Sequence, residues 1–366
     1  MNARMLAPLH MAGGGMPWRP LRLLHLPNEE QVGFQVGPRE AFDTMLAGGE
    51  LSAYTAYPFL HEAASHGMSA CLEQLLRVAS EQRPDVVIWQ HVGRFPVDAG
   101  FLRRLREVIG SAVLVYHEGD VFGRWVKPLP APVRALAAEA DVVSLVGLGE
   151  LAALFRAHGA RRIVYAPHSF DSRRCDQPWT PTPSRRFDAL MIGNRVTSRV
   201  PLRDMPGARE RFALAEALHR RLGERFVVHG GNWGNRPYAR GPLPFDQQEL
   251  AIREAWLTVS WDHFDQVPCY FSDRVPIAMA AGVVHVTNRQ PGYEQLFPPG
   301  CGLLHAGSVD ELADIVDLLL SRPRDELIDL GERAQAFARE RLSARRVYRD
   351  LLLAVAGMFA ERLAAH

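Results

Sequence analysis

The sequence predicts an α/β protein made of two domains, each built on a parallel sheet covered by helices. Short β-like apolar runs alternate with helix-like segments along the chain, and this is the pattern of parallel α/β structure. Several runs are almost wholly apolar, as at 85–89 and 112–116, which is typical of strands covered on both faces. A polar, proline-rich stretch at 171–186 divides the alternation into two series.

The first series contains five predicted strands and four predicted helices. The strands are predicted at 21–26, 86–92, 112–117, 142–145 and 163–167. The helices are predicted at 64–81, 99–109, 132–140 and 150–158. The first strand is followed by a polar loop over 27–39 that is broken by glycines, and we expect this loop to overhang the ligand site.

The second series has the same alternating order. Its strands are predicted at 189–192, 226–229, 257–261, 283–287 and 303–305. Its helices are predicted at 208–222, 247–255, 275–281, 309–321 and 324–340, and a last helical stretch at 344–363 closes the chain. The expected division is a domain over 1–170, a linker over 171–186, a domain over 187–342 and a final helix within 343–366. Ligands bind at the carboxyl ends of parallel strands, so a cleft between the two halves is the expected site.

Composition and charge exclude several classes of protein. The 366 residues carry 42 basic and 41 acidic side chains, so no overall field attracts nucleic acid or an anionic membrane. The four cysteines are far apart, which argues against a zinc site or a disulfide framework. Signal-peptide and membrane-span patterns are not found, so we expect a cytoplasmic protein. Lys127 is the sole lysine, and this skew towards arginine indicates a GC-rich, bacterial genome.

A hydride-transfer enzyme is not expected. The glycine run Gly13-Gly14-Gly15 precedes the first predicted strand, whereas the phosphate turn of a dinucleotide site follows its strand.

Titratable side chains cluster where two strands of the first series end. His117, Glu118 and Asp120 follow a strongly apolar strand, and His91 ends the preceding strand. Groups in this position are suited to acid–base chemistry or to binding sugar hydroxyls, so we take these four as candidate catalytic residues. His168 ends another strand, where it could serve either hinge packing or chemistry.

An anion site is predicted after the first strand of the second series. Gly193, Asn194 and Arg195 follow that strand, with Arg199 and Arg203 soon after. A glycine lets backbone amides approach an anion, and arginine is a forked donor that matches phosphate oxygens. Phosphate binding is therefore expected here, with Arg195 as the leading candidate.

Two further segments of the second series are candidates for ligand contact. Gly231 and Asn232 belong to a glycine-rich loop after a strand, which could face a nucleobase or form an ordinary turn. The densest signal is the segment 270–297, in which Ser272 or Asp273 is expected to cap a short helix.

The second series resembles the carboxyl-terminal domain of GT-B glycosyltransferases, in particular the family-4-like and CgeB-like groups (glycosyl transferases group 1). The resemblance rests on Ile-Ala-Met-Ala-Ala-Gly at 277–282, the strand at 283–287, Glu-Gln-Leu-Phe at 294–297 and the stretch 302–313. It implies two Rossmann-like domains facing a central cleft. The acceptor would bind the first domain and a nucleotide-sugar donor the second, and the last helix would return to the first domain.

The chain departs from the family at the donor site. Family members usually carry two glutamates, and Cys269 and Ile277 stand in their places. The family holds its diphosphate with an arginine and a lysine, but no lysine follows Lys127. Arg195 and Arg274 would have to serve alone.

Other side chains could replace the missing glutamates. Tyr270, Ser272 and Asp273 are candidates for the donor-sugar contacts, and Glu294 is the candidate for the ribose contact.

The resemblance implies a hexosyltransferase-type enzyme (EC 2.4) that moves a sugar from a nucleotide diphosphate to an acceptor that the sequence does not identify. It also implies retention of configuration and no bound metal or other cofactor. An inverting reaction would need a base, for which His117, Glu118 or Asp120 are available. Two alternatives stay open: an inactive GT-B-like binding or partner protein, and a sugar-nucleotide epimerase. The oligomeric state has no sequence signal.

Overall fold

The computed structural model describes residues 19–364 except Asp176, Trp179, Pro183 and 197–203, and side chains up to residue 359. Arg199, Arg203 and the glycine run at 13–15 lie outside the described residues. The chain forms two compact units: residues up to Pro167 together with those from Ala344 onward, and His168–Ser343. The proline-rich stretch at 171–186 thus belongs to the second unit. Along the described residues we find no helix with the length and apolar character needed to cross a bilayer.

The first unit is built on a parallel sheet of six strands in the order β2-β1-β3-β4-β5-β6. The strands are β1 Leu21–Leu26, β2 Leu51–Ala56, β3 Val86–Gln90, β4 Val113–Glu118, β5 Val142–Leu145 and β6 Ile163–Tyr165. The helices are α1 Val36–Ala47, α2 Phe59–His66, α3 Met68–Gln82, α4 Ala99–Ile109, α5 Ala131–Glu139 and α6 Glu150–Ala157, with the terminal helix Ala344–Ala364. The bounds predicted for β1, β5 and α4 agree with the structure at both ends.

The segment between β1 and β3 differs most from prediction. The expected loop over 27–39 ends early, because α1 begins at Val36 and Pro38 lies in its first turn, where proline is tolerated. Glu29 is buried and accepts hydrogen bonds from the Arg39 guanidinium at 2.8 Å, which closes the loop onto the helix. The single helix predicted at 64–81 is two helices, since Gly67 between them has φ +84°.

The terminal helix completes the core of the first unit. Tyr348, Leu352 and Val355 of this helix pack with Phe42 of α1 and with the apolar residues of β1, β3 and β4. Beneath it, Gln90 Nε2 donates to the Tyr348 hydroxyl at 2.6 Å. The helix is therefore an internal component of the first sheet's packing.

The second unit is built on a parallel sheet of five strands in the order β11-β10-β9-β7-β8. The strands are β7 Phe187–Ile192, β8 Phe226–His229, β9 Ala255–Val259, β10 Val284–Asn288 and β11 Leu303–Ala306. The helices are α7 Ser172–Cys175, α8 Ala208–Leu222, α9 Gln248–Arg253, α10 Arg274–Ala280, α11 Tyr293–Leu296, α12 Val309–Leu320 and α13 Arg324–Arg341. Short 3₁₀ turns lie at Gly223–Arg225 and Phe245–Gln247.

A chain of polar side chains runs through the core of the second sheet. His285 on β10 bonds Thr258 Oγ1 through Nδ1 at 2.8 Å and Ser260 Oγ through Nε2 at 3.0 Å. Ser260 Oγ also bonds Thr287 Oγ1 at 2.9 Å. These groups are buried, and their mutual hydrogen bonds satisfy them inside an otherwise apolar sheet.

We expect three histidines to make the protein acid-labile. Burial, their largest influence, lowers the pKa of His25, His263 and His285 to about 4 from 6.5. The unfolded chain takes up these protons first, so stability present above pH 6.5 is lost as the pH falls towards 4. The loss is up to about 3 kcal/mol for each of the fully buried His25 and His285 and smaller for the partly exposed His263. Denaturant unfolding at pH 7 and pH 5 should show the loss. It should be smaller in His285→Gln and unchanged in the exposed control His66→Gln. A wild-type free energy of unfolding that does not fall between these pH values would contradict the expectation.

Candidate functional site

Two groups of polar side chains, one in each unit, lie at the carboxyl edge of a sheet. In the first unit, β3 and β4 are neighbours with Gln90 opposite His117, so the residues that follow them meet. His91 Nδ1 lies 2.5 Å from Glu118 Oε1. The structure thus brings together two of the candidate catalytic residues as a histidine–carboxylate pair.

Glu118 is held rigidly behind the histidine. Its side chain has no solvent exposure. The Tyr116 hydroxyl donates to Oε2, and the backbone amide of Asp120 donates to Oε1 at 2.8 Å. With Nδ1–H given to Glu118, the other nitrogen of His91, Nε2, is the one available to a substrate, and the ring is 34% exposed.

The charges around His91 raise the pKa of its imidazole. Burial by itself would lower the pKa of His91, but the hydrogen bond and charge of Glu118, together with Asp120, outweigh it and raise the pKa. Burial and the neighbouring Glu118 carboxylate likewise raise the pKa of Tyr116, so its hydroxyl stays protonated and donates. This arrangement is that of a general base oriented by a carboxylate.

Asp120 borders the same group. Its Oδ2 accepts from Lys127 Nζ at 2.6 Å and lies 3.9 Å from His91 Nε2. The ligand atoms of His91, Glu118 and Asp120 lie within 4.8 Å of one another, close enough to hold a metal ion. Glu118 Oε1 and Asp120 Oδ2 also accept hydrogen bonds within the protein, from the Asp120 amide and from Lys127.

His117 does not join this group. Side chains alternate along a strand, so His117 points to the opposite face of the sheet from Glu118. There its Nδ1 lies 3.0 Å from Ser144 Oγ, and its ring packs edge-on against Tyr348 at 5.6 Å. His117 is therefore a core residue beneath the terminal helix.

In the second unit, a buried arginine that the sequence reasoning missed defines the site. Arg211 on α8 is 4% exposed. Its Nε donates to the Trp261 carbonyl at 2.8 Å, and its Nη1 donates to the Asn194 carbonyl at 3.1 Å and lies 2.9 Å from His263 Nε2. The guanidinium is thereby fixed at the carboxyl ends of β7 and β9.

Arg274 lies beside Arg211. Its Nε donates to the Ile192 carbonyl at 2.5 Å, and its Nη1 lies 3.9 Å from Asp262 Oδ1. A methyl group placed on Gly193 would lie 3.5 Å from Arg274 Nε and 3.7 Å from Arg211 Nη1. The two guanidinium groups thus converge on the bare α-carbon of Gly193.

Two carboxylates lie near the two guanidinium groups of this cluster: Asp262 and the half-exposed Asp273, whose Oδ1 is 4.0 Å from Arg274 Nη1. Burial, then the charge of Arg274, lowers the pKa of Arg211 to about 10. Among the described residues no carboxylate forms an ion pair with Arg211. The buried Asp262 carboxylate is engaged by Ser272, whose amide and hydroxyl donate to it at 2.9 and 2.8 Å. Because Arg211 is buried and makes no ion pair within the described part of the chain, the two close guanidinium groups make a site suited to a multiply charged anion.

The loops after β7 and β8 bind each other through their backbone amides. Gly193 N donates to the His229 carbonyl at 2.8 Å, Arg195 N donates to the Gly231 carbonyl at 3.0 Å, and Gly231 N donates to Asn194 Oδ1 at 2.7 Å. These amides are therefore not the anion donors that the sequence led us to expect. Asn232, the next residue of the loop, has φ +67°.

The Arg195 side chain does not join the pair of arginines. Its guanidinium stacks on the Phe212 ring, 4.4 Å from the centroid. Arg274, the other arginine expected from the sequence, is part of the cluster.

The remaining donor-site candidates differ in their contacts and in their exposure to solvent. Ser272 positions Asp262, and Asp273 precedes α10 without a side-chain cap, so the expected capping by either residue is wrong. The Tyr270 ring packs edge-on against His168, 6.2 Å away. Glu294 is exposed.

The two residues that replace the family glutamates are buried. Cys269 and Ile277 are 0% and 2% exposed, so both side chains belong to the packing of the second unit.

Sequence reasoning missed Arg211, Asp262 and His263. Arg211 had a detectable signal, because it occupies the apolar stripe of α8 with Leu214, Ala215 and Leu218, where a charged residue is unusual.

Comparisons with known proteins bear on the family and on the fold. Residues 209–352 match the model of a family described as glycosyl transferase-like. Curated protein sequences show no match to the chain. The match confirms the resemblance to the group 1 glycosyltransferases that the sequence suggested.

Solved structures show the fold. HepE of Anabaena, in complex with UDP and glucose, is 15% identical over 92% of this chain and 100% of its own, with a TM-score of 0.55. A glycosyltransferase of Rickettsia africae is 13% identical over 93% and 98%, with a TM-score of 0.56. Sucrose-phosphate synthase of Thermosynechococcus elongatus is 11% identical over 95% and 100%, with a TM-score of 0.59. The predicted GT-B fold is confirmed.

Proposed function

We propose that this GT-B chain is a glycosyltransferase that uses a nucleoside diphosphate sugar as donor. The observation that carries the proposal is the pair of guanidinium groups of Arg211 and Arg274 at the carboxyl edge of the second sheet. A diphosphate leaving group develops negative charge as the glycosidic bond breaks, and fixed cationic donors stabilise that charge. The UDP bound to the Anabaena neighbour supports a nucleotide as part of the donor.

The same pair supports a reaction without a resident metal. A divalent ion would neutralise the diphosphate, and the two arginines can supply that charge instead. Within the proposal the enzyme is of the hexosyltransferase type (EC 2.4). The four cysteines are free thiols and buried, which suits a reducing compartment and supports the cytoplasm as the location.

The transfer could retain or invert the anomeric configuration of the sugar. The family resemblance implies retention. The His91–Glu118 pair favours inversion, because an inverting transfer needs a base to take the proton of the acceptor hydroxyl. The anomeric configuration of the product, followed by NMR from the first minutes of reaction, decides between them.

Thermal unfolding in the presence of nucleotides tests the proposal. UDP, GDP, dTDP, ADP and their sugar conjugates are each added well above an expected dissociation constant. A nucleotide at a hundred times its dissociation constant stabilises the folded state by about 2.7 kcal/mol, so one nucleotide class should raise the Tm clearly. No shift with any of them would contradict donor binding and favour an inactive GT-B-like partner protein. Donor turnover into a second sugar nucleotide without acceptor would indicate an epimerase.

A further inference from the structure

We propose that the side-chain amides of Asn288 and Gln290 bind vicinal hydroxyl groups of the transferred sugar. This inference rests on the proposed function, since it assigns the sugar subsite of the same donor. Asn288 is the last residue of β10, and Gln290 lies two residues further on, at the carboxyl edge that carries the arginine pair. Both are buried, at 1% and 0% exposure.

The amide of Asn288 has a fixed orientation. Its Oδ1 accepts from the Asp262 amide at 2.6 Å and from Thr287 Oγ1 at 3.3 Å. The Nδ2 group must therefore point away from these donors. In the described part of the chain Nδ2 is buried and has no hydrogen-bond partner. Asn288 thus presents one oriented donor.

Gln290 offers a complete amide. Among the described residues neither its Nε2 nor its Oε1 has a hydrogen-bond partner, although both atoms are buried. Leaving a buried polar group unpaired costs about 1–3 kcal/mol, so native proteins rarely do so without a function. Together the two residues present two donors and one acceptor that await a polar ligand.

Asp262 links Asn288 to the arginine pair, and Gln290 follows Asn288 by two residues. Its backbone amide binds Asn288, and its Oδ1 lies 3.9 Å from Arg274 Nη1. The sugar of a nucleoside diphosphate sugar is attached directly to the phosphate that the arginines would hold. A hydroxyl-binding group next to the arginine pair is therefore in the place that the sugar requires.

The chemistry of the amides selects the kind of sugar. A carboxamide can donate to one hydroxyl of a vicinal pair and accept from the other, because each hydroxyl both donates and accepts. We assign the subsite to a neutral sugar with free vicinal hydroxyls. The amides take the part of the glutamate that Cys269 replaces.

The protein covers both amides, so sugar binding requires a local opening of the turn that follows β10. Gly292 in that turn has φ +90°, and a side chain there would meet Cys269 Sγ at 2.9 Å. The turn is thereby packed against Cys269, and we expect the sugar to displace it.

Calorimetric titration with UDP and UDP-glucose tests the subsite. If GDP, dTDP or ADP gives a larger thermal shift than UDP, that nucleotide and its glucose conjugate replace them. Gln290→Met is expected to weaken UDP-glucose binding at least tenfold and to leave UDP binding unchanged. The matched control is Gln295→Met, the same exchange at an exposed position of α11. It should change neither affinity.

The outcomes are distinguishable. If wild type binds no nucleotide, the proposed function fails and the subsite fails with it. If wild type binds both ligands and Gln290→Met binds UDP-glucose as tightly as wild type, or loses UDP to the same extent, the subsite alone is overturned. Gln290→Met should fold with an unchanged or higher Tm, because it removes an unpaired buried amide. Should it fail to fold, Gln290→Asn, which withdraws the amide by one methylene, takes its place with the same expected loss.

Discussion

Arg211→Met is expected to weaken binding of the nucleoside diphosphate by at least about 30-fold, or about 2 kcal/mol. Arg211 and Arg274 converge on Gly193, and the variant removes one of the two guanidinium groups that would hold the diphosphate. The variant loses charge-assisted hydrogen bonds to a phosphate. It also removes the repulsion between the two arginines, which favours anion binding when the site is empty. Titration calorimetry with the nucleotide that stabilises wild type most measures the effect.

The control for this variant is Arg209→Met on the same helix. The Arg209 side chain is 74% exposed, so its loss should change the affinity by less than twofold. Arg211→Lys keeps the charge but not the fork, and an intermediate affinity is expected. Circular dichroism shows whether the Arg211→Met protein folds. If it folds and still binds the nucleotide with wild-type affinity, the arginine pair is not the diphosphate site.

His91→Gln is expected to lower the transfer rate by about 10²–10⁴-fold if the pair acts as a general base. The amide of glutamine can donate to Glu118 as the imidazole does, but it cannot take the acceptor's proton. Glu118→Gln should also lower the rate, because it removes the charge that raises the pKa of His91. Initial rates with a fixed donor and acceptor give the measurement. A loss below about tenfold in both variants would favour the retaining alternative, in which no base is needed.

The pH profile separates this role from a structural one. The base must be neutral, and the pKa of His91 is raised above 6.5, so kcat/KM should fall as the pH drops through that raised value. In Glu118→Gln the pKa of His91 should be lower, and the acid limb should move to lower pH. A merely structural contact would reduce the rate without moving the limb.

Most of the fold could be predicted because its strands and helices carry strong local patterns. The strand Leu21–Leu26, the helix Ala208–Leu222 and the strand Phe226–His229 agree with prediction at both ends. The strand Leu51–Ala56 was missed, since its residues are only partly buried and carry no continuous apolar run. The helix Val36–Ala47 was missed because Gly37 and Pro38 in its first turn suggest a loop.

The site was less predictable because it depends on which face of a strand a residue occupies. His117 and Glu118 are adjacent in sequence, yet alternation sends one into the core and the other to His91. The arginine pair joins α8 to α10 across 63 positions of sequence, and no spacing rule relates Arg211 to Arg274. Such contacts follow from strand order, which periodicity does not encode.

The terminal helix has a consequence for how the protein is made. The second unit is one continuous stretch, His168–Ser343, whereas the first unit needs residues from Ala344 onward to cover β1, β3 and β4. During synthesis from the amino terminus, the first unit begins to emerge first but lacks its last helix until the residues from Ala344 onward have been made. Domains usually fold in the order in which they emerge. In this chain the second unit can therefore complete its core before the first unit does, and the apolar face that the helix covers stays open until the helix has been made.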